Sequence, residues 1–135
     1  MAEKTFAIIK PDAVKGRNVG KIIDMIEQNG FTIVRMEKRK LTKEQAEAFY
    51  AVHKEKPFFG EVIDFITSGP IVAMVLEKEN AIQEWRKLMG ETNSQKAAAG
   101  TIRQQFGTDI MVNAVHGSDA PETAEIEIGL MFPNA

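Results

Sequence analysis

A short segment near the end of the chain contains residue types that nucleophilic catalysis uses. In residues 113–119, His116 lies at the end of an expected strand and is followed by Gly117, Ser118 and Asp119. Glycine permits close backbone approach, and serine and aspartate favour helix N-caps, so this order can expose an imidazole at a helix N-terminus. Taken alone, such a histidine is more often a satisfied polar residue at a strand edge, with Ser118 and Asp119 serving only as caps.

A carboxylate further along the chain favours the catalytic interpretation. Glu127 lies two turns beyond Asp119 in the expected last helix, where its side chain can reach back toward His116. A carboxylate on one imidazole nitrogen leaves the other nitrogen with its lone pair free, which a nucleophilic histidine requires.

Side chains elsewhere could bind phosphate. The chain contains no G-x-x-x-x-G-K-[ST] motif and no G-x-G-x-x-G after a strand, so side chains would have to supply most phosphate contacts. The candidates are Lys10 at the end of the first expected strand, Arg86 in a helix, Thr92 and Arg103. Each of these, taken singly, is more often a solvated charge or a cap.

The composition excludes several classes of function. With 17 Lys and Arg against 19 Asp and Glu, the net charge of -2 gives no overall positive field to attract nucleic acid, so a phosphate site must gather local cations. The absence of cysteine excludes disulfides, zinc-thiolate sites and thiol catalysis. No basic segment precedes an apolar one at the start, and the longest apolar run, residues 71–76, is too short to cross a bilayer. We therefore expect a cytoplasmic protein with no membrane and no nucleic-acid partner.

Four strands and several helices are expected around these residues. Continuous apolar runs at residues 6–9 and 71–76 predict central strands, residues 31–41 predict a half-exposed strand, and residues 110–112 predict the last one. The helix signals are a stop at Asn29-Gly30, capping boxes at Thr42 with Gln45 and at Asn80 with Gln83, and a start at Asp119, Pro121 and Glu122. The second helix would carry Tyr50 and His53 on one side. This order favours a single domain over residues 1–135, an α+β ferredoxin-like split β-α-β sandwich whose four-stranded antiparallel sheet is covered by helices on one face.

Short blocks along the whole chain resemble nucleoside diphosphate kinases in order and spacing. The blocks are Lys-Pro-Asp at residues 10–12, Tyr50, Lys-Pro-Phe-Phe at 56–59, Ser-Gly-Pro at 68–70, Gly-Glu-Thr-Asn at 90–93, Gly-Thr-Ile-Arg at 100–103, and residues 113–119. The Asn-x-x-His-Gly-Ser-Asp element is highly specific, and chance agreement of all the blocks is negligible. The resemblance therefore favours a catalytic histidine.

The resemblance implies a role for each matching position. His116 would be phosphorylated, Glu127 would orient it, and Ser118 would belong to the same hydrogen-bond group. The implied substrate contacts divide among three parts of a nucleotide. Arg86, Arg103 and Thr92 match the phosphate binders, with Tyr50 nearby; Lys10 and Asn113 match the residues that hold the ribose hydroxyls; and Phe58 matches the aromatic that stacks on the base, flanked by Val62 and Ile110.

The same resemblance implies a reaction and an assembly. The γ-phosphate of a nucleoside triphosphate, mainly ATP, would pass to His116 and then to a nucleoside diphosphate, a ping-pong mechanism with broad base specificity. Mg²⁺ would be carried on the nucleotide phosphates, with no protein metal ligand. The chain would form a homo-oligomer built from dimers, and the short segment after Pro133 favours a tetramer over a hexamer.

Four positions depart from the usual family pattern. Ser94 and Ala99 stand where proline is common, Gln105 where aspartate is frequent, and Met131 where tryptophan is frequent. The missing prolines would affect the rigidity of residues 90–100, and Met131 would affect the packing of the last helix. None is a catalytic position, so we expect the chemistry to be retained.

Two other functions are compatible with parts of the sequence. A phosphohistidine carrier charged by a partner protein would use His116 but would leave Lys10, Phe58 and Arg103 without a role. A non-catalytic ligand-binding or scaffold module could also use this fold, because a fold does not determine a function.

Overall fold

The computed structural model describes residues 2–51 and 54–133. Within them one antiparallel sheet has the spatial order β2-β3-β1-β4, formed by β1 (Ala2–Ile9), β2 (Thr32–Arg39), β3 (Ile71–Glu79) and β4 (Val115–Gly117). The two apolar runs form the central strands, paired so that Ile8 lies opposite Ala73. The predicted ferredoxin-like α+β class is confirmed by this sheet and by its helical connections.

Helices connect the strands and cover the sheet. Their bounds are α1 (Pro11–Lys15), α2 (Val19–Gln28), α3 (Lys43–Phe49), α4 (Phe59–Ile66), α5 (Ala81–Met89), α6 (Ile102–Phe106) and α7 (Pro121–Met131), with a 3-10 turn at Ser94–Lys96. In the described part of the chain no helix has the length and apolar character needed to cross a membrane.

The helices lie on both faces of the sheet, so the expectation of one covered face was wrong. Alternate residues of β1 point to opposite sides, and Ala7 and Ile9 join a core with α2 and α5 that includes Trp85. Phe6 and Ile8 join a second core with α3, α4 and the end of α7. Two buried faces explain why the central strands are continuously apolar rather than alternating.

The expected last strand was misplaced. Residues 110–112 form a bent loop, because the Asp109 carboxylate accepts backbone hydrogen bonds from Met111 and Val112 at 2.9 and 2.7 Å. The Val112 carbonyl in turn accepts the backbone N–H of Thr108 at 2.6 Å. These local hydrogen bonds replace strand pairing, and β4 begins three residues later at Val115.

The helix boundaries follow most of the expected signals. Gly30 adopts a φ of 85° after α2, and the capping box of Thr42 with Gln45 is formed at the start of α3. Asn80 makes no side-chain cap at α5 and has a left-handed φ of 56°; the Glu3 carboxylate instead accepts the Ile82 N–H at 3.0 Å. His53, expected on the second helix, lies outside the described residues.

Three of the four positions that depart from the family pattern, Ser94, Gln105 and Met131, are accommodated by local contacts. Met131 is buried in the second core, and its backbone carbonyl accepts a 2.9 Å hydrogen bond from the Arg39 guanidinium. Gln105 donates to the Gly100 carbonyl at 3.0 Å. Ser94 is buried against Gly107, where a Cβ would collide with the serine side chain.

Candidate active site

His116 is held on the edge strand β4 by its backbone. It lies opposite Ile8 of β1, and its carbonyl oxygen accepts a 3.2 Å hydrogen bond from Nε1 of Trp85 in α5. The neighbouring Gly117 allows this packing, because a Cβ at residue 117 would overlap the Trp85 ring and lie 2.8 Å from Cε of Met89. The strand, the tryptophan and the glycine together fix where the imidazole leaves the backbone.

A buried carboxylate faces one nitrogen of the imidazole. Nε2 of His116 lies 3.4 Å from both carboxylate oxygens of Glu127, which reaches back from the second turn of α7. Ser118 Oγ donates to Oε1 of Glu127 at 2.7 Å, and Ser118 is itself fully buried. The predicted group of His116, Glu127 and Ser118 is therefore assembled, with the serine orienting the carboxylate and the carboxylate facing the imidazole.

The serine and aspartate after His116 do not cap the last helix, contrary to one sequence interpretation. The N-cap of α7 is Ala120, which makes no side-chain cap, and Pro121 occupies the first turn. Ser118 Oγ accepts the backbone N–H of Phe6 at 3.3 Å, which ties it to β1. Asp119 lies on the surface 3.4 Å from the Arg86 guanidinium. Ser118 is thus used inside the site rather than at a helix end.

His116 opens onto a cavity of about 600 Å³. Its imidazole is 22% exposed and packs edge-on against the rings of Phe49 and Tyr50, with centroids at 5.3 and 6.3 Å. Burial, together with the nearby Glu127 carboxylate, raises the pKa of the Tyr50 hydroxyl, which therefore stays protonated. The cavity is also lined by the predicted residues Lys10, Phe58, Val62, Thr92 and Ile110.

Lys10 and Asn113, both predicted to bind ribose, contact each other, but only Lys10 lines this cavity, and Asn113 is buried behind it. Lys10 Nζ donates to Asn113 Oδ1 at 2.9 Å, and the Asn113 amide donates to the carbonyls of Thr92 and Ile110 at 3.0 Å each. Burial, assisted by the positive charge of Arg103, lowers the pKa of Lys10 to about 8. The ammonium is therefore held in a poorly solvated position at the cavity wall.

The two predicted arginines lie on an adjoining cleft of about 530 Å³ that shares Thr92 with the main cavity. Arg103 is buried and donates to the carbonyls of Gly90 and Val115 at 3.0 Å. Burial and the neighbouring Arg86 lower the pKa of Arg103 to about 10. Two guanidinium groups that repel each other beside a cavity form a favourable site for a phosphate chain.

Part of the cavity lining is apolar. Phe58 is 43% exposed before α4, and Val62 on the next helical turn and Ile110 line the same cavity. The Lys56 ammonium lies 5.7 Å from the Phe58 ring centroid. This arrangement brings together the three residues predicted to contact a base.

Several residues of the site were missed in the sequence. Phe59 and Phe65 line the cavity. They were missed because α4 was not predicted, although Phe58, Val62 and Phe65 have helical spacing. The acidic side chains Glu61 and Asp109 also line it. In residues 2–51 and 54–133, no three or more His, Asp or Glu side chains are grouped so that they could hold a metal ion.

The chain is similar to known proteins over nearly its whole length. The family model described as nucleoside diphosphate kinase matches residues 3–135. A nucleoside diphosphate kinase of Oleidesulfovibrio alaskensis is 60% identical over 132 residues, 98% of this chain and 95% of the relative, and one of Campylobacter jejuni is 57% identical over 133 residues, 98% and 97%.

Solved structures give the same result. The Aquifex aeolicus nucleoside diphosphate kinase superposes with a TM-score of 0.95 at 47% identity, covering 98% of this chain and 96% of that one. A halophilic nucleoside diphosphate kinase from Halobacterium salinarum, in complex with CDP, gives a TM-score of 0.95 at 41% identity, with 99% and 90% covered. The chain therefore belongs to the nucleoside diphosphate kinase family of phosphotransferases.

Proposed function

We propose that His116 carries a phosphoryl group from a nucleoside triphosphate to a nucleoside diphosphate in two successive half-reactions. The observation that carries this proposal is the imidazole at the cavity wall, with Nε2 facing the Glu127 carboxylate at 3.4 Å. A hydrogen on Nε2 faces the carboxylate, so Nδ1 keeps its lone pair and can attack phosphorus.

Each half-reaction exchanges one bond to phosphorus for another. In the first, Nδ1 of His116 forms a bond to the γ-phosphorus while the bond to the β,γ-bridging oxygen breaks, and the diphosphate leaves. In the second, the terminal phosphate oxygen of the acceptor diphosphate attacks and the nitrogen–phosphorus bond breaks. Glu127 stabilises the imidazole that carries the phosphoryl group, and the Ser118 hydroxyl holds Glu127 in place at 2.7 Å.

The transition state of phosphoryl transfer is loose, so charge stabilisation and positioning matter more than proton transfer. Arg86, Arg103 and Thr92 share the cleft beside the cavity and would bind the phosphate oxygens. Mg²⁺ enters as part of the nucleotide substrate, because it is bound mainly by phosphates and water rather than by a protein cage.

The sugar would be bound more specifically than the base. Lys10 and Asn113, which hydrogen-bond each other at 2.9 Å, would bind the ribose hydroxyls. Phe58, Val62 and Ile110 offer stacking and apolar contact, and stacking contributes about 1 to 3 kcal/mol for any base. We therefore propose broad base specificity, with ATP as the main donor.

Label transfer tests the proposal directly. Purified protein is incubated with γ-labelled ATP and Mg²⁺, freed of nucleotide, and then given unlabelled ADP, GDP, CDP or UDP. We expect an acid-labile label on the protein and its transfer to all four acceptors. His116→Asn is expected to take up no label while keeping the wild-type unfolding transition.

The outcomes also distinguish the other functions. A phosphohistidine carrier would load only when a partner protein is added, and a ligand-binding module would never load. Normal loading of His116→Asn would exclude His116 as the acceptor, and a preference of several orders of magnitude for one base would contradict the apolar base pocket.

We also propose a cytoplasmic homo-oligomer built from dimers, with a tetramer favoured over a hexamer. Val34 and Met36 are 39% and 52% exposed on the edge strand β2, and apolar side chains on an unpaired strand favour association. Light scattering after size exclusion would measure the mass, and four chain masses are expected.

A further inference from the structure

The backbone just before His116 adopts a conformation that alanine disfavours. Ala114 has a φ of 72°, and the N–H of Val115 donates to the carbonyl of Asn113 at 2.9 Å, two residues back. A positive φ with this hydrogen bond defines a γ-turn of the strained kind. The turn connects the buried Asn113, which accepts a hydrogen bond from the Lys10 ammonium, to the strand that carries His116.

Two contacts from the start of the chain hold this turn. The N–H of Ala114 donates to Oδ2 of Asp12 at 3.1 Å, and its carbonyl accepts the backbone N–H of Lys10 at 2.8 Å. Ala114 is fully buried, so water cannot replace the carboxylate as the partner of its N–H. The turn is therefore clamped on both polar groups of its central residue.

Asp12 is placed by the first turn of α1 where it can act as such a clamp. It lies in the first turn of α1 after Pro11, and its side chain contacts a residue 102 positions away in the sequence. Its other oxygen, Oδ1, is buried and has no hydrogen-bond partner among the described residues. The N-cap of α1 is Lys10, so Asp12 is not the capping residue of its own helix.

We propose that Asp12 is a positioning residue for phosphoryl transfer, which keeps Ala114 in the strained turn so that His116 and Asn113 face the same nucleotide. The inference rests on the proposed phosphorylation of His116. Without the carboxylate, Ala114 relaxes toward a negative φ, and the chain direction on either side of it changes. His116 then loses its alignment with the phosphorus atom, although none of its own contacts has been mutated.

The test is a rescue experiment. We expect Asp12→Ala to lower the single-turnover rate of His116 phosphorylation at saturating ATP by about ten- to a hundredfold, the range that misalignment of a reacting group produces. Glycine adopts a positive φ without strain. Adding Ala114→Gly to Asp12→Ala should therefore raise the single-turnover rate at least about tenfold above that of Asp12→Ala. Ala114→Gly alone should load at close to the wild-type rate. Asp24→Ala, at an exposed aspartate of α2, is the matched control.

A spectroscopic readout follows the turn without using activity. Trp85 is the single tryptophan of the chain and donates to the His116 carbonyl, so its fluorescence reports on the backbone at the end of the turn. Asp12→Ala should change the Trp85 emission, Asp24→Ala should not, and the double variant should return toward wild type.

Each outcome decides the inference. If Asp12→Ala loads at the wild-type rate, or if Ala114→Gly fails to rescue a folded Asp12→Ala protein, Asp12 does not act through the turn. If Asp12→Ala does not fold alone, a double variant that folds but stays slow contradicts the proposal, and one that folds and loads supports it. Failure of the wild-type protein to load His116 would instead refute the proposed function.

Discussion

Replacing Lys10 by methionine should remove a pH-dependent cost of burying a charge while impairing the exchange of phosphate. The pKa of Lys10 is lowered to about 8 from its ordinary value of 10.5, first by burial and then by Arg103, with Asp12 acting in the opposite direction. A shift of this size corresponds to about 3 kcal/mol, since one pKa unit is about 1.4 kcal/mol. The native state therefore carries an unfavourable buried charge at pH 7.

The sign of the pH dependence follows from the two pKa values. Below pH 8 the ammonium is charged in both the folded and the unfolded chain, so the full cost of burial is present. Between pH 8 and 10.5 the unfolded chain binds the additional proton, so wild-type stability rises with pH. Above 10.5 both states are neutral and the cost disappears. Methionine has no such charge, so the stability of Lys10→Met relative to wild type falls between pH 8 and 10.5.

Methionine also leaves Oδ1 of Asn113 without its 2.9 Å donor, which costs about 1 to 3 kcal/mol at every pH. The change with pH is therefore a cleaner measurement than the absolute difference. Urea unfolding of wild type and Lys10→Met at pH 7 and at pH 10.5 should show the variant's relative stability falling by about 2 to 3 kcal/mol. Lys21→Met, at an exposed lysine, is the control for the loss of a positive charge.

The exchange assay gives the second half of this prediction. Lys10→Met should lower kcat/KM for ATP by at least about tenfold, because the ammonium that we propose to contact the ribose is lost. A relative stability that is the same at pH 7 and pH 10.5 would refute the buried-charge argument. An active Lys10→Met enzyme would refute the role of Lys10 in nucleotide binding.

Three further substitutions test other contacts of the site and core. Thr5→Val should raise the free energy of unfolding by about 1 kcal/mol in urea titrations, since Thr5 Oγ1 is buried with no hydrogen-bond partner among the described residues. Gly117→Ala should lower stability by about 1 to 3 kcal/mol, because a methyl group there overlaps the Trp85 ring, and an unchanged Tm would contradict the packing. Ser118→Ala removes the 2.7 Å hydrogen bond to Glu127 and should slow single-turnover loading of His116 by about tenfold, with little change in the ATP affinity of the folded variant. A loading rate equal to that of the wild type would exclude an orienting role for Ser118.

The sequence predicted the central sheet because its signals there are long and redundant. Residues 71–76 are apolar at every position, and β3 is buried on both faces over this run. The expected strand at residues 110–112 shows the limit of the same reasoning. Three apolar residues are too few to outweigh the Asp109 carboxylate, whose two short bonds to backbone amides fold the segment into a loop.

The site was predictable where the residue type itself indicates the chemistry, as a histidine beside a carboxylate does. His116 and Glu127 were paired from their residue types and helical spacing, and their side chains lie 3.4 Å apart. Asp12 was not singled out as a functional residue because its contact with Ala114 spans 102 residues and depends on a backbone conformation. Neither the distance nor the positive φ at an alanine leaves a signal in a single sequence.

The cavity and the adjoining cleft bring together unfavourable features that a bound nucleotide would relieve. Arg103 helps to lower the pKa of Lys10, Arg86 helps to lower the pKa of Arg103, and the chain as a whole is slightly acidic. Arg103 Nε is buried with no hydrogen-bond partner among the described residues, so the free protein leaves a donor unused beside the phosphate cleft. A polyphosphate supplies negative charge and oxygen acceptors to these groups at once. If a nucleotide binds here as proposed, the stability lost in assembling the site would be recovered as binding energy, and this energy would be available to align the phosphorus atom with His116.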